Sequence, residues 1–180
     1  MDMLENLRRI AAQAGFHETG TVDIHSLEYV PEVRRICEKN GCGGYNTSWA
    51  CPPAVGTLEE CRARCEKYEH MLIFTGKYQL EDSFDYEGMV AGSRAFSAAV
   101  DRFHEEIRGF LDDYMLLANE GCDRCKKCTW PDAPCRFPEK FHQSLEAYGF
   151  IVSRLAMKAG VKYNNGPNTV TYFGAVLYNE

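Results

Sequence analysis

Apolar residues at helical spacing mark two segments of the chain. In residues 3 to 14 they fall on one face of a helix, and Gly15 follows as a C-terminal stop. From Tyr86 to Asn119 they recur at alternating steps of three and four, which predicts one long, half-buried helix. A third helix is predicted from Thr57 to about Tyr68, because Thr57 and Glu60 form a capping-box pattern.

The β-prone runs lie between these segments. Phe16 to Ile24, Met71 to Tyr78 and Thr169 to Tyr178 are rich in β-branched and aromatic residues, and they predict three strands. Two further short helices are predicted at Pro138 to Tyr148 and at Val152 to Ala159. Strands interleaved with helices of unequal length favour an α+β fold, in which a small sheet of about three or more strands packs with helices and cysteine-rich metal-binding loops.

Length and charge narrow the class of protein. A chain of 180 residues with 45% hydrophobic content predicts a single domain, residues 1–180. The net charge of -6 provides no basic face, so we expect no nucleic-acid partner. No run reaches the length of a membrane span and the N-terminus lacks the apolar core of a signal peptide, so we expect no membrane association and a cytoplasmic location.

Nine cysteines change the picture from a generic domain to a metal or redox protein. An odd number without a secretory signal fits poorly with disulfide pairing, because cytoplasmic thiols are kept reduced. The cysteines form an N-terminal group within residues 37–65 and a C-terminal group within residues 122–135. The chain therefore has two candidate metal sites, or one site assembled from both groups.

The C-terminal group has the more specific spacing. Cys122, Cys125 and Cys128 form an overlapping C-x2-C-x2-C run, and Cys135 follows. Mononuclear zinc sites usually take two separated C-x2-C pairs, whereas ferredoxins use the overlapping run for a [4Fe-4S] cluster. The spacing favours iron-sulfur, with zinc and free redox-active thiols as alternatives. Five cations surround the run and either offset the charge of a cluster or are ordinary surface residues: Arg124, Lys126, Lys127, Arg136 and Lys140.

The N-terminal group supplies three cysteines in a glycine-rich segment, Cys37, Cys42 and Cys51. Three thiolates leave one coordination position for a fourth protein ligand, water or a small molecule, and such an open position is characteristic of a catalytic site. Cys65 is the preferred fourth ligand. Cys61 and Cys65 share one face of the predicted helix, and the alternative is that both are buried core residues.

Both cysteine elements resemble those of a family described as predicted metal-binding proteins, domain of unknown function 2284. The resemblance is carried by Cys37, Cys42, the Gly44-Tyr45-Asn46 turn and Trp49 to Pro53, and downstream by Gly121 to Pro138 with the Ser144 to Ala147 segment. It implies metal binding and assigns no reaction or substrate. Its matching cysteines are Cys37, Cys42, Cys51, Cys122, Cys125, Cys128 and Cys135, with Cys61 and Cys65 outside the pattern.

Three functions are compatible with these features. The first is a redox protein whose C-terminal cluster exchanges electrons with a partner protein. The second is an iron-sulfur enzyme with an open iron position at Cys37, Cys42 and Cys51 that takes a small-molecule ligand. The third is a structural zinc protein that binds another protein. The sequence contains no conventional catalytic motif, so whether the protein is an enzyme stays open.

Overall fold

The structure, a computed structural model, describes residues 2–119 and 121–180. Within these residues a five-stranded sheet has the order β1-β2-β5-β3-β4, in which β3 and β4 are parallel and the other neighbours are antiparallel. This mixed sheet, packed with helices, confirms the α+β prediction. The strands are β1 (Glu18–Asp23), β2 (His70–Gln79), β3 (Tyr114–Ala118), β4 (Gln143–Ser144) and β5 (Thr169–Tyr178).

The helices are short except for one. They are α1 (Met3–Ala14), α2 (Pro31–Glu38), α3 (Leu58–Cys65), α4 (Tyr86–Ile107) and α5 (Val152–Ala159), with 3₁₀ turns at Ile24–Ser26 and Glu146–Tyr148. Gly15 ends α1 with a φ of 98°, a left-handed conformation that glycine adopts without strain. The predicted capping box is confirmed, because the Thr57 side chain accepts from the Glu60 amide and Glu60 bonds back to the Thr57 amide.

Each face of the sheet buries its own apolar core. Along β2, Leu72 and Phe74 point to the face covered by α1 and α4, whereas Met71 and Ile73 point to the opposite face. The α1 and α4 face is rich in aromatic rings, and Phe16 stacks on Phe74 with ring centroids 4.3 Å apart. The opposite face is covered by α5 and by the segment around Tyr148.

One predicted helix is too long, and the prediction of another is wrong. The helix expected from Tyr86 to Asn119 ends at Ile107, and the chain then turns and enters β3. Gly109 follows the last helical turn, and Asp112 with Asp113 favours a turn before the strand. The helix expected at Pro138 to Tyr148 is replaced by β4 and a 3₁₀ turn. The three predicted strands and the helix at Val152–Ala159 are confirmed.

These elements bring the two cysteine-rich segments together. Loop N (residues 39–57) connects α2 to α3, and loop C (residues 121–142) leads into β4. The loops meet through Trp49 and Trp130, whose rings contact edge to face at 4.8 Å between centroids.

In the described part of the chain, no helix is both long enough and apolar enough to cross a membrane.

Candidate metal centre

The four C-terminal cysteines line one small pocket. Cys122, Cys125, Cys128 and Cys135 border a cavity of about 20 Å³ inside loop C, and Trp49 and Ala50 of loop N form part of its wall. All four thiols are partly buried. The predicted set of four is therefore brought together, and the same pocket has no histidine among its described lining residues.

Backbone amides point at the sulfur atoms of this pocket. The Trp130 amide donates to Cys128 Sγ at 3.5 Å, and the Phe137 amide donates to Cys135 Sγ at 3.4 Å. Partial burial opposes ionisation of Cys128, but amide hydrogen bonds from Trp130, Trp49 and Thr129 outweigh it and lower the pKa of that thiol. At Cys122 burial dominates and raises the pKa. The pocket thus includes at least one thiol prepared to act as a thiolate ligand.

Loops N and C are fastened to each other by their tryptophans. Trp49 Nε1 donates to the Ala133 carbonyl at 3.1 Å, and Trp130 Nε1 donates to Asn46 Oδ1 at 2.8 Å. Asn46 has a φ of 57°, a left-handed conformation that asparagine tolerates better than most residues. Two hydrogen bonds between loop N and loop C therefore hold the pocket in place.

The five cations near the pocket fall into two kinds. Arg124 makes a bidentate ion pair with Asp101 of α4, which anchors the beginning of loop C. Arg136 donates to the Lys127 carbonyl at 2.9 Å and so braces the loop internally. Lys126, Lys127 and Lys140 are exposed, and no ion pair involves them among the described residues.

The N-terminal thiols line a second, larger cavity. Cys37 at the end of α2 and Cys42 and Cys51 in loop N border a space of about 630 Å³, together with Cys122 of loop C. Gly44 lies against two of these thiols, since a Cβ there would stand 3.3 Å from Cys51 Sγ and 3.5 Å from Cys42 Sγ. A side chain at this position would fill the space between the sulfur atoms, so glycine keeps it open.

Without a metal, burial disfavours the ionisation of two of these thiols. It raises the pKa of Cys37 and of Cys51, and the neighbouring thiols act in the same direction. Sulfur atoms that destabilise one another's negative charge need a cation between them to become thiolates together. The cavity therefore fits a positively charged metal centre.

Cys61 and Cys65 have a different environment. Both are fully buried in the core on α3, and neither is among the described residues that line the 630 Å³ cavity. Cys61 Sγ accepts from Arg34 Nη2 at 3.5 Å and from Arg64 Nη2 at 3.2 Å. Burial raises the pKa of Cys65 to about 12, which disfavours the thiolate that a metal requires. The assignment of Cys65 as a fourth ligand stays a prediction, and its position does not favour it.

The sulfur atoms surround spaces and do not converge on a point. Among the described residues, no group of three or more His, Cys, Asp or Glu side chains is close enough to hold a single metal ion. The donors that line the two cavities are nonetheless predominantly thiols, and soft thiolate sets suit zinc and iron-sulfur clusters. In their chemistry the residues present fit such a metal centre.

Sequence reasoning missed two residues of the larger cavity. Ser144 at the end of β4 and Glu146 in the following turn complete its lining opposite loop N. Both lie in the segment predicted as a helix, so the pairing of β4 with β3 that brings them to the cavity was not foreseen. Only their place in the Ser144 to Ala147 segment of the family resemblance could have drawn attention to them.

Comparison with known families supports metal binding by this chain. The model of the family described as predicted metal-binding protein (DUF2284) matches residues 20–178. The chain belongs to this family. No curated protein matches the chain, and no solved structure does so either.

The DUF2284 match covers nearly all of the fold and both cavities. It begins inside β1 and ends at the last residue of β5, so it includes all nine cysteines. The family description supports metal binding by this chain and names no particular metal.

Proposed function

We propose that Cys122, Cys125, Cys128 and Cys135 hold a [4Fe-4S] cluster through which the protein exchanges single electrons with a partner protein. The observation that carries this proposal is the placement of all four thiols of the C-x2-C-x2-C run and its follower around one pocket. Ferredoxins use the overlapping run to ligate such clusters. Membership of a family described as predicted metal-binding supports a metal in this protein.

The spacing of the donors favours a cluster over a single zinc ion. Mononuclear zinc sites usually take their four thiolates as two separated C-x2-C pairs. The overlapping run of Cys122, Cys125 and Cys128, followed by Cys135, is the arrangement that ferredoxins use for a cubane.

The residues around the pocket have defined roles in this proposal. Amides of Trp130 and Phe137 donate to Cys128 and Cys135, and such hydrogen bonds to sulfur raise the reduction potential of an iron-sulfur centre. Trp49 and Phe141 limit access of water to the pocket. When bound, the cluster supplies one-electron redox chemistry, and the protein supplies its ligands, its hydrogen bonds and its partial burial.

An acidic redox protein is the partner that this surface would accept. Lys126, Lys127 and Lys140 leave positive charge unpaired around the pocket, whereas the whole chain carries a net charge of -6. Phe137 is 40% exposed beside them and lines the pocket, which adds an apolar contact close to the cluster ligands. Positive charge around an apolar centre steers a negatively charged partner to the place where electrons leave.

Two alternatives remain distinct from this proposal. A structural zinc protein would use the same C-terminal cysteines, and an iron-sulfur enzyme would use Cys37, Cys42 and Cys51 as a second centre with an open iron position. The larger cavity favours the second alternative as an addition to electron transfer, because its volume of about 630 Å³ leaves room beside the thiols.

The test is the content of iron, zinc and acid-labile sulfide, with a visible spectrum, in protein purified without oxygen. We expect a brown protein with matched iron and sulfide, and enough iron for one or two clusters. A colourless protein that contains zinc and no sulfide would replace electron transfer by a structural role.

A further inference from the structure

The larger cavity has thiols on one side and a carboxylate on the other. Cys37, Cys42 and Cys51 come from α2 and loop N, whereas Ser144 and Glu146 come from β4 and the 3₁₀ turn that follows it. Among the described lining residues Glu146 is the carboxylate.

Hydrogen bonds fix the two sides of this cavity relative to each other. Arg34, one turn before Cys37 on α2, donates to the Ala147 carbonyl at 2.5 Å. The Val30 amide at the start of α2 donates to the Gly149 carbonyl at 2.9 Å, at the end of the 3₁₀ turn. Arg34 is buried and also donates to the Gly56 carbonyl of loop N at 2.5 Å. The helix that carries Cys37 and the turn that begins with Glu146 are thus packed against each other.

The other nearby thiol is already engaged. Cys122 borders both cavities, but it belongs to the C-x2-C-x2-C run and lines the smaller pocket with its three companions. A metal centre at Cys37, Cys42 and Cys51 therefore has three thiolates and needs one more donor. An oxygen donor in that position is bound less tightly than a thiolate, because soft metals prefer sulfur.

We propose that the Glu146 carboxylate is the exchangeable fourth ligand of an iron-sulfur cluster held by Cys37, Cys42 and Cys51, since these described side chains are not close enough to share a single metal ion. A small carboxylate-bearing molecule displaces it and binds in the same cavity. The inference rests on the proposed thiolate-metal chemistry of the protein and deepens it, because it makes the N-terminal centre a substrate site beside the electron-transferring one.

The cavity has the size and polarity that this ligand class requires. Its volume of about 630 Å³ lies inside the range of roughly 300–1,000 Å³ that is usual for small-molecule sites. Tyr45 and Ser144 are among the lining residues, and a hydroxyl group can donate to the second oxygen of a bound carboxylate. The Ser144 hydroxyl also accepts from the Ala147 amide at 3.1 Å, so its position is defined.

The experiment compares Glu146→Gln and Glu146→Cys with the wild-type chain, all reconstituted with iron and sulfide without oxygen. Glu38→Gln and Glu38→Cys are the matched controls, since Glu38 is an exposed carboxylate next to Cys37 that is not among the described lining residues of the cavity. Cyanide is the probe for an open metal position, and its binding is followed by electron paramagnetic resonance of the reduced protein. The rate at which iron is released to a chelator after mild oxidation with ferricyanide is a second readout.

Removal of the carboxylate should open the position, and a thiolate should close it. We expect Glu146→Gln to bind cyanide about tenfold more tightly than the wild type, the scale on which groups around a metal change affinity. Glu146→Cys should not bind cyanide and should release iron more slowly than the wild type. Both Glu38 variants should match the wild type, and equal thermal unfolding of all five proteins would show that they share one fold.

The outcomes separate this inference from the proposed function. If both Glu146 variants behave as the wild type, Glu146 is not a ligand and the inference is wrong. If the wild type takes up iron for one cluster only, and Cys125→Ser removes all of it, electron transfer at the C-terminal site stands while the inference fails. If reconstitution yields no iron-sulfide chromophore at all, both fail together.

Discussion

At the level of single residues, the nine cysteines serve two purposes. Seven line the two cavities, with Cys37 near the end of α2 and the others in loops N and C, and six of the seven are partly buried. Cys61 and Cys65 are buried in the core, where Cys61 accepts hydrogen bonds from Arg34 and Arg64. The surroundings of the sulfur, and not the residue type, separate the proposed ligands from the packing residues.

Two cysteine-to-alanine variants test this separation. Cys125→Ala should lose the metal of the C-terminal pocket with little change in the free energy of unfolding of the metal-free protein. Cys61→Ala should keep all its metal but lose about 1–3 kcal/mol of stability, because the buried Arg34 and the partly buried Arg64 lose an acceptor. Metal analysis and urea unfolding of metal-free protein measure both effects. If Cys61→Ala lost its metal and Cys125→Ala kept it, the roles of ligand and packing residue would be reversed.

A partly buried histidine, His142, makes the stability depend on pH. Burial and the nearby His104 and Arg124 lower the pKa of His142 from 6.5 to about 4, against the opposite effect of Asp101. Its Nε2 is buried and has no hydrogen-bond partner among the described residues. The unfolded chain therefore binds this proton at higher pH than the folded one, so the contribution is complete above pH 6.5 and is lost as the pH falls toward 4.

We expect the wild type to lose about 2 kcal/mol more than His142→Phe between pH 7.5 and pH 5. The difference between the two proteins cancels the effect of acid on the thiolates that they share. Denaturant unfolding at several pH values measures it, and the exposed His17, changed to Phe, is the control. Parallel pH profiles for wild type and His142→Phe would contradict the expectation.

At the level of elements, the metal pocket depends on contact between two loops. Trp130 Nε1 donates to Asn46 Oδ1, and the Trp49 indole donates to the Ala133 carbonyl, so each loop holds the other. Neither loop contains an α-helix or strand of its own among the described residues. The geometry of the thiols is therefore as stable as these few bonds.

The Asn46–Trp130 bond can be tested with a conservative pair of variants. Asn46→Ala removes the acceptor and should raise the rate of metal loss to a chelator about tenfold, as is usual for groups that orient metal ligands. Asn46→Asp keeps an oxygen acceptor and should remain close to the wild type. The core should unfold at nearly the same denaturant concentration in all three proteins. Equal chelation rates would show that the loops hold the pocket by other means.

The sequence predicts local elements well and their meeting points poorly. Capping at Thr57, the stop at Gly15 and the strand at Thr169–Tyr178 follow from neighbouring residues, so they could be foreseen. The end of α4 at Ile107 could not, because Leu111 and Tyr114 continue the helical spacing into a turn and a strand. The same limit applies to the site. Spacing indicates the four C-terminal thiols, whereas Glu146 reaches the other cavity only through the tertiary pairing of β3 with β4.

At the level of the whole molecule, charge is distributed unevenly. Five of the 20 Lys and Arg residues lie in loop C, although the chain has a net charge of -6. Lys126, Lys127 and Lys140 are exposed there. An acidic partner would be drawn to this surface and repelled by much of the rest.

We expect Lys126→Glu to slow electron exchange with an acidic [2Fe-2S] ferredoxin by about threefold to tenfold at low ionic strength. The effect should shrink at high salt, because exposed charges are then screened. Lys67→Glu is the matched control, an exposed lysine on the segment that leads into β2. Stopped-flow kinetics at several salt concentrations measure both variants. Equal slowing by the two would indicate an effect of net charge and not of this surface.

The two cores are built without the seven cavity cysteines. Both clusters of buried residues lie on the faces of the sheet, and of the nine cysteines they include Cys61 and Cys65. Removal of metal by a chelator should therefore leave the circular dichroism of the sheet and helices nearly unchanged, unlike a zinc finger, which unfolds without its metal. Hydrogen exchange should increase in loops N and C and stay slow in β2 and β5. Global unfolding on chelation would favour the structural zinc alternative.

Independence of the cores from the cavity cysteines has a consequence for how the protein is made. A chain that folds before it receives its metal can wait, intact, for delivery by whatever supplies iron and sulfide. Oxidative damage to a centre then leaves a folded, metal-free protein that can bind metal again, and synthesis of a new chain is not needed. When metal is scarce, folded protein without metal would accumulate, and metal binding would be restored at the rate of loading and not at the rate of translation.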